Sequence, residues 1–417
     1  MTTIILKPHK EESVLRFHPW VFSGAIARIV LDATHRAAAP EEGELVCVQN
    51  ADGKVLGVGH WQVGSIAVRL LAFGDERISG LGDEWISGLL RKRIAAAYRM
   101  RQRLGLLRED NNTYRLIHGE GDMLPGLVVD VYGDTAVVQA HSVGMHQCRK
   151  AIAEAIVKEV KEVDAVYYKS DDTLPFKAQI EGEKTGYLIE KSEVRNQKSD
   201  NIEYWAKENG IDVRIDWLRG QKTGFFIDQR ENRALVERYA AGKDVLNMFC
   251  YTGGFSLYAL RGRAKSVHSV DVSQKAIDLV NANVERNFPN CPNHKAVTAD
   301  AFDYLSEQRA QGHQYDLIIL DPPAFAKHRD AVKNALRGYQ RINAKAIEMI
   351  RPGGILFTFS CSQAVDKEAF RLAVFSAAAQ TGRKVRILHQ LHQPQDHPIN
   401  IYHPEGEYLK GLVLYVE

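Results

Sequence analysis

The second half of the chain alternates between short apolar strands and amphipathic helices, and this alternation constrains the fold more than any other feature. The apolar run Leu317-Ile-Ile-Leu320 has no polar interruption, which is typical of parallel strands covered on both faces. The pattern therefore predicts a doubly wound α/β fold, whose ligands bind beyond the carboxyl ends of the strands. Strands are predicted at residues 244–249, 266–271, 296–300, 316–320, 355–360, 384–388 and 412–416.

Composition places the chain among globular proteins. Its 417 residues are 45% hydrophobic and 25% charged, and a length of this size predicts two or three domains. No apolar run is long enough to span a bilayer, and the first residues lack the apolar stretch of a secretory signal. The five cysteines are widely spaced, so we expect a cytoplasmic protein without a metal site. The net charge of +2 neither requires nor excludes an acidic partner.

The N-terminal half contains a strand-rich segment followed by a basic helix. Short strands up to residue 73 predict a small barrel, and residues 82–107 are helical in pattern, with Leu90, Ile94 and Tyr98 on one face. Seven basic residues and no acidic residue occur from Arg91 to Arg108. Two interpretations stay open for this helix, a solvated charged face and a contact with an RNA backbone. The basic stripe consists of Lys92, Arg99 and Arg103.

Polar residues close the predicted strands of the second half. The loop Asn247-Met-Phe-Cys-Tyr-Thr-Gly-Gly-Phe255 has two glycines but lacks the Gly-x-Gly-x-x-Gly pattern that a pyrophosphate needs. Asp271 is placed to bind ribose hydroxyls; the alternative, a helix cap, is better supplied by Ser273. Asp300 and Asp321 end the next two predicted strands. Three carboxylates at successive strand ends suggest that the ligand is S-adenosylmethionine rather than a dinucleotide.

Cys361 follows the fifth of these strands, in the sequence Ser360-Cys361-Ser362. A thiol at a strand end over a cofactor crevice is a candidate nucleophile. A buried, unreactive cysteine is the alternative, and it is the commoner fate of cysteines in general. The position of Asp321 at the same sheet edge favours the nucleophile.

Several blocks of sequence resemble the ribosomal large-subunit RNA methyltransferase I family, which forms 5-methylcytosine. The blocks span nearly the whole chain in one order. They are His18-Pro-Trp-Val-Phe-Ser-Gly-Ala-Ile26, Leu124-Pro-Gly-Leu-Val-Val-Asp130, Gly220-Gln-Lys-Thr-Gly-Phe-Phe-Ile-Asp-Gln-Arg-Glu-Asn-Arg233, Asn247 to Ser256, Asp321-Pro-Pro-Ala-Phe325, Ser360-Cys-Ser362 and Pro404-Glu-Gly-Glu-Tyr-Leu-Lys-Gly411. The resemblance implies three domains: a PUA-type RNA-binding barrel (1–75), a linker helix with a small α/β domain (76–212), and a Rossmann-like class I methyltransferase domain (213–417).

The resemblance also implies roles for individual residues. Cys361 would attack C6 of a cytosine in large-subunit ribosomal RNA, and Asp321 would contact the ring. Pro322, Pro323 and Phe325 would present or stack on the base, although a packing role for Phe325 is an equal alternative. His18 and Trp20 would be structural, in a barrel whose core an aromatic residue commonly fills. S-adenosylmethionine would contact Lys222, Asp228, Gln229, Arg230, Asn247, Phe249, Tyr251, Thr252, Gly253, Asp271, Val272, Asp300, Ala301 and Asp321.

One departure from related enzymes and three rival functions stay open. Many RNA cytosine methyltransferases carry a second cysteine after the Asp-Pro-Pro motif, where this chain has Ala324, so the group that removes the C5 proton is unassigned. The rivals are a guanine methyltransferase, a non-catalytic ribosome-assembly factor and a small-molecule methyltransferase. The target nucleotide, the form of the RNA substrate and the oligomeric state, including a homodimer, are also open.

Overall fold

The computed structural model describes residues 1–32, 39–74, 82–175, 180, 182–190, 203–326 and 328–417. They belong to two compact units. The first comprises Met1–Lys207, Ile215–Phe225 and Gln395–Gly406, and the second comprises Glu208–Arg214, Phe226–Pro394 and Glu407–Glu417. Residues 191–200, whose polar sequence predicts an exposed loop, lie outside the described residues. Among the helices that are described, none is both long and apolar enough to cross a membrane.

A six-stranded sheet opens the first unit. Its strands lie in the order β2-β6-β5-β4-β1-β3. Aliphatic residues and Trp61 fill its core, whereas Trp20 is only half-buried, so the expectation that the aromatic of the His18 block fills the barrel is wrong. The elements are β1 (Thr3–Leu6), α1 (Glu12–Leu15), β2 (Trp20–Phe22), β3 (Ile26–Val30), β4 (Leu45–Gln49), β5 (Val55–Trp61) and β6 (Ile66–Phe73).

A long helix and a five-stranded sheet complete most of the first unit. The predicted face of α2 is confirmed, since Leu90, Ile94 and Tyr98 are all buried in one hydrophobic cluster with the sheet. The sequence predicts a single helix over residues 145–160, whereas the structure has two helices, because the backbone leaves the helical region at Cys148. The elements are α2 (Asp83–Arg103), β7 (Thr113–His118), β8 (Leu127–Tyr132), β9 (Thr135–Ala140), α3 (Val143–Gln147), α4 (Arg149–Glu159), β10 (Ala165–Lys169) and β11 (Thr185–Ile189).

The second unit is built on a seven-stranded sheet, as the alternating pattern predicts. A separate hairpin of β12 (Tyr204–Glu208) and β13 (Ile211–Ile215) precedes it. The remaining elements are α5 (Arg230–Tyr239), β14 (Asp244–Met248), α6 (Gly254–Arg261), β15 (Ser266–Asp271), α7 (Gln274–Asn287), β16 (His294–Thr298), α8 (Ala301–Ala310), β17 (Tyr315–Leu320), α9 (Val332–Met349), β18 (Ile350–Ser360), α10 (Lys367–Thr381), β19 (Val385–His392) and β20 (Lys410–Val416).

The strand order of the large sheet is β16-β15-β14-β17-β18-β20-β19. The first five strands are parallel, and β20 runs antiparallel to both of its neighbours. The order reverses at β14, and the crevice beside such a reversal is where doubly wound sheets bind ligands. The carboxyl ends of β14, β15 and β17 therefore define the region in which a ligand is expected.

Candidate active site

The loop after β14 has an unusual backbone. Phe249, Tyr251 and Gly253 have φ angles of 57°, 46° and 80°, in the left-handed region that non-glycine residues rarely enter. A Cβ at Gly253 would also meet the Val280 side chain at 3.1 Å. Two non-glycine residues in this region store strain of order 1 kcal/mol each, and such strain clusters at ligand-binding sites.

Asp271 ends β15 and fixes this loop. Its carboxylate accepts hydrogen bonds from the main-chain amides of Tyr251 and Ser273, both at 3.0 Å. Ser273, not Asp271, caps α7 by accepting from the amide of Ala276, as expected. Each carboxylate oxygen retains a second lone pair for a ribose hydroxyl. The next residue, Val272, has 73% of its surface exposed, which leaves an apolar surface beside that carboxylate.

Asp300 lies in a different position from the one expected. The third strand ends at Thr298, and Asp300 is the N-cap of α8, where one carboxylate oxygen accepts from the amides of Phe302 and Asp303. The strand is as long as predicted but lies two residues earlier, so Asp300 follows it as the cap of α8 instead of ending it. Ala301 is the first helical residue and is buried. Cofactor contacts of Asp300 and Ala301 stay a prediction.

The segment from Phe226 to Arg233 packs against the same sheet edge. The Phe226 ring meets that of Tyr251 edge-on, with centroids 5.1 Å apart. Gln229 is buried, and its Nε2 donates to Oδ1 of Asp321 at 3.0 Å. The Gln229 Oε1 in turn accepts from Asn232 at 2.6 Å, which fixes the amide's orientation. This chain of hydrogen bonds holds the Asp321 carboxylate at the end of β17.

Two further predicted cofactor residues of this segment are buried. Asp228 accepts a hydrogen bond from the Tyr408 hydroxyl at 2.7 Å, and Arg230 is 1% exposed. Lys222 is exposed and belongs to the first unit, with a left-handed φ of 49°. The predicted block is thus divided between the two units at Phe226.

The two prolines after Asp321 differ in exposure. Pro322 is buried and Pro323 is exposed. The Phe325 ring lies 4.7 Å from that of Tyr339, centroid to centroid, and within 3.0 Å of where a Cβ on Gly338 would be. This contact supports the packing alternative for Phe325; stacking on a base stays a prediction.

Cys361 follows β18 and is half-exposed. Lys410 pairs with Ser360 across β18 and β20, and its ammonium donates to the carbonyls of Ser362 and Val365. Burial lowers the pKa of Lys410 to about 8, while the negative charge of Cys361 acts in the opposite direction. The thiol of Cys361 therefore has a buried ammonium as an electrostatic neighbour.

Tyr339 lies on the other side of this strand end. The Ser360 hydroxyl donates to the Tyr339 oxygen at 2.9 Å. Burial raises the pKa of Tyr339 to about 12, and the negative charges of Cys361 and Asp321 add to that rise. Because β17 and β18 are adjacent and parallel, Asp321 and Cys361 follow neighbouring strand ends at one edge of the sheet.

Cys250 differs from Cys361 in its surroundings. It is buried, and burial raises its thiol pKa well above the ordinary value, with Asp271 contributing in the same direction. A buried thiol with a raised pKa is a poor nucleophile. These surroundings favour a structural role for Cys250.

The basic helix α2 divides into two groups of cations. Lys92, Arg99 and Arg103 are exposed, as a stripe on one face requires. Arg91 instead pairs with Glu159, and the fully buried Arg101 forms a bidentate pair with Asp122. Residues 91–108 contain no acidic residue, but these two arginines have acidic partners from distant parts of the sequence.

The site's chemistry fits a nucleoside with no phosphate. One edge of the sheet carries the Asp271 carboxylate, which suits a ribose, the exposed Val272, which suits a base, and the tight turn at Gly253. The sequence has no phosphate-binding glycine pattern.

Two family models match the chain. Residues 190–404 match the model of the S-adenosylmethionine-dependent methyltransferase family, and residues 4–73 match a PUA-like domain. The chain is therefore an S-adenosylmethionine-dependent methyltransferase by class.

Full-length relatives define the family more closely. The ribosomal RNA large subunit methyltransferase I of Photobacterium profundum is 39% identical over the whole of both chains, and that of Shewanella frigidimarina is 38% identical over 98% of each. The chain belongs to this family. The fold matches the crystal structure of the methyltransferase SMU.776 complexed with SAH, with a TM-score of 0.82, 23% identity and full coverage of both chains. A second match is a methyltransferase structure from Streptococcus mutans, with a TM-score of 0.80, 22% identity and full coverage.

Reasoning from the sequence missed several residues around Cys361 and Asp321. Lys410 lies in the family block that ends at Gly411, so its position was signalled although its role was not. Asn232 likewise lies in the family block from Gly220 to Arg233, whereas Tyr339 carries no signal because it is one aromatic residue on a helix face. Their contacts depend on how α9 and α5 pack on the sheet.

Proposed function

We propose that the protein methylates C5 of a cytosine in large-subunit ribosomal RNA through a covalent bond between Cys361 and C6. The observation that carries this proposal is the half-exposed Cys361 thiol beside the buried Lys410 ammonium at the end of β18. A thiolate is the reactive form of cysteine, and a neighbouring cation favours it. The relatives' names specify large-subunit ribosomal RNA, which supports the substrate class.

The chemistry assigns one step to the thiolate. C5 of cytosine is a poor nucleophile because its electrons belong to the aromatic ring. A bond from Sγ of Cys361 to C6 breaks that conjugation and makes C5 electron-rich. After C5 is methylated, loss of its proton and cleavage of the S–C6 bond restore the ring and return the thiolate. Ala324 has no acid–base group, so the C5 proton passes to another acceptor.

Asp321 is proposed to bind the ring nitrogen N3 of the target base. Attack at C6 increases the electron density on N3, and a protonated carboxyl or a shared proton at this position stabilises it. The hydrogen bond from Gln229 to Oδ1 fixes the orientation of the carboxyl group for such a contact. The base must leave its stack to reach a thiol at a sheet edge.

The cofactor would lie at the ends of β14, β15 and β17. When bound, S-adenosylmethionine supplies an electrophilic methyl group. Asp271 would hold the ribose, Val272 would cover the adenine, and the loop of Asn247, Phe249, Tyr251, Thr252 and Gly253 would follow the nucleoside. Asp228, Gln229 and Arg230 would face the methionine end. The other residues proposed to contact the cofactor are Lys222, Asp300 and Ala301.

RNA binding is proposed for two parts of the first unit. The PUA-like domain at 4–73 belongs to a class that the family resemblance associates with RNA. The exposed stripe of Lys92, Arg99 and Arg103 adds cations that contact phosphates. Pro323 is the exposed member of the loop after Asp321 and would lie against the base.

A trapping experiment tests the covalent step. RNA containing 5-fluorocytidine is incubated with the protein and S-adenosylmethionine, then separated on a denaturing gel. Fluorine at C5 blocks the loss of a proton, so the S–C6 bond persists and a protein–RNA adduct accumulates. The adduct should map to Cys361 by peptide mass spectrometry and vanish in Cys361→Ser. Methyl transfer to RNA without any adduct, or an adduct that persists in Cys361→Ser, would refute the proposal.

A further inference from the structure

Two histidines and a glutamate converge in the first unit, away from the strand ends described above. His18 precedes β2, whereas His403 and Glu405 belong to the segment Gln395–Gly406 of the same unit. The His18 Nε2 lies 3.4 Å from Oε2 of Glu405, and the His403 Nε2 lies 3.8 Å from the same oxygen. One nitrogen or oxygen from each residue lies within 4.8 Å of the other two.

His403 is unusual for a buried polar residue. It is only 2% exposed, and neither ring nitrogen has a hydrogen-bond partner among the described residues. Leaving a buried polar group unpaired costs about 1–3 kcal/mol. The Trp20 ring packs edge-on against the imidazole at a centroid distance of 4.3 Å, and holds it with Nε2 toward Glu405. A bound ligand would give the buried ring nitrogens of His403 a partner.

The main chain of Trp20 holds the His18 ring at Nδ1, which lies 3.2 Å from the Trp20 amide and 3.3 Å from the Trp20 carbonyl. Nε2 therefore faces Glu405 and His403. Without an ion, the amide donates to Nδ1 and the ring carries its proton on Nε2, toward Glu405. Zinc binding at Nε2 requires the other tautomer, in which Nδ1 donates to the carbonyl, the second contact that metal-ligating histidines typically make.

We propose that His18, His403 and Glu405 bind one Zn²⁺ ion. Ligands at about 2.0–2.2 Å from a tetrahedral zinc are roughly 3.3 Å apart. The separations of 3.4 and 3.8 Å from the Glu405 oxygen would shorten slightly, and the two histidine nitrogens, which lie within 4.8 Å of each other, would also approach. Two imidazoles and one carboxylate suit zinc, and three protein ligands leave a fourth position for water. The ion would join the segment Gln395–Gly406 to the start of β2.

This site is independent of the proposed methyl transfer, since it shares no residue with it. The sequence did not indicate a metal site because the ligands His18 and Glu405 are 387 positions apart and form no local motif. A hydrogen-bonded His18–Glu405 pair without an ion is the competing interpretation. That pair leaves the two nitrogens of His403 unexplained.

Metal binding to the full-length, tag-free protein tests the proposal directly. After treatment with a chelator and dialysis, the protein is titrated with Zn²⁺ by calorimetry, and with Co²⁺ while its visible d–d absorption is followed. We expect one Zn²⁺ per chain and the strong d–d bands of tetrahedral Co²⁺. Glu405→Gln should raise the Zn²⁺ Kd at least about tenfold, and His403→Ala should abolish the Co²⁺ bands.

The variants distinguish the loss of a zinc-binding side chain from the unfolding of the protein. Glu405 is half-exposed, so Glu405→Gln should leave the circular dichroism spectrum and thermal midpoint without zinc unchanged. His9→Asn is the matched control, because His9 is exposed in the same unit, lies outside the cluster and has a φ of 63° that asparagine tolerates; it should bind Zn²⁺ like the unaltered protein. Absence of stoichiometric Zn²⁺ binding, or binding equally strong in Glu405→Gln and His403→Ala, would overturn the proposal.

Discussion

The buried ammonium of Lys410 is hydrogen-bonded to the main-chain carbonyl of Ser362, the residue directly after Cys361. A second bond to the Val365 carbonyl, at 2.6 Å, holds the ammonium in place. Lys410 is 5% exposed, and burying a cation is unfavourable unless something compensates for it. Stabilising a thiolate at the end of β18 gives that cation a role in the proposed reaction.

Replacing Lys410 should change the pH dependence of methylation. Lys410→Met removes the cation, so forming the thiolate becomes harder, and the acidic limb of the rate profile should move up by ~1 pH unit or more. Lys410→Arg keeps the charge and should retain most of the shape of the profile. If the rate profile of Lys410→Met has the same pH dependence as that of the unaltered protein and only lower rates, the role of Lys410 is purely structural.

The rate advantage of the unaltered protein over Lys410→Met should be confined to low pH. Burial lowers the pKa of Lys410 to about 8. Below that pH the lysine is charged and supports the thiolate, whereas above it the lysine is neutral and the thiolate forms without its help. The ratio of the two rates should therefore fall toward one as the pH rises through the pKa of Lys410. Single-turnover rates from pH 6 to 10 would measure this ratio, and a ratio that does not change with pH would contradict the proposed role of the cation.

The two cysteines near the sheet edge should respond differently to removal. Cys361→Ala should abolish turnover, by a factor of about 10³ or more, because no other group supplies the bond to C6. Cys250→Ala should mainly weaken cofactor binding, because the buried Cys250 packs within the loop after β14. Methylation rates at saturating S-adenosylmethionine would measure the loss of catalysis, and the Kd of S-adenosylmethionine from calorimetry would measure the loss of cofactor binding. Normal methylation by Cys361→Ala would exclude the covalent route.

Gln229 should act by positioning Asp321. Gln229→Leu removes a hydrogen bond to a charged carboxylate, and such bonds contribute about 1.5–3 kcal/mol. We expect kcat to fall roughly tenfold or more while the affinity for RNA stays the same. Gln380→Leu, at an exposed position on α10, is the matched control. Equal kcat values in the two variants would show that the hydrogen bond has no part in the reaction.

The exposed stripe on α2 should contribute to RNA affinity through salt-dependent binding to phosphates. Changing Lys92, Arg99 and Arg103 together to Gln should weaken binding and lower the slope of log K against log salt, by about 0.7–0.9 for each phosphate that is no longer neutralised. The control removes three exposed cations of the second unit, Lys333, Arg371 and Lys384. A slope that falls equally in both triple variants would indicate a general charge effect without a specific RNA-binding stripe.

The large sheet could be predicted because its signal is local. Apolar strands such as 317–320 and the glycine turn after β14 are encoded in short stretches of sequence, and the family blocks added the PUA-like domain. Two features depended on longer-range structure. The sequence from residue 177 to 210 is polar and has no clear strand pattern, yet it contains β11 and β12. Asp300 caps a helix instead of ending the predicted strand.

The site was predictable in part for the same reason. Asp271, Asp321 and Cys361 could be chosen because each ends a strand, and parallel strand ends meet at one edge. Partners that come from elsewhere in the chain carried no local signal. Lys410 reaches Cys361 only because β20 inserts antiparallel beside β18, and Asp122 neutralises Arg101 from another element.

The measurement that most directly tests the proposed reaction uses S-adenosylmethionine carrying a deuterated methyl group. The protein is incubated with this cofactor and unmodified large-subunit ribosomal RNA, and the RNA is digested to nucleosides for mass spectrometry. The proposed function predicts that the label appears in 5-methylcytidine and is absent with Cys361→Ala. Label in a methylated guanosine, unaffected by that substitution, would contradict the cytosine chemistry and make Cys361 a structural residue.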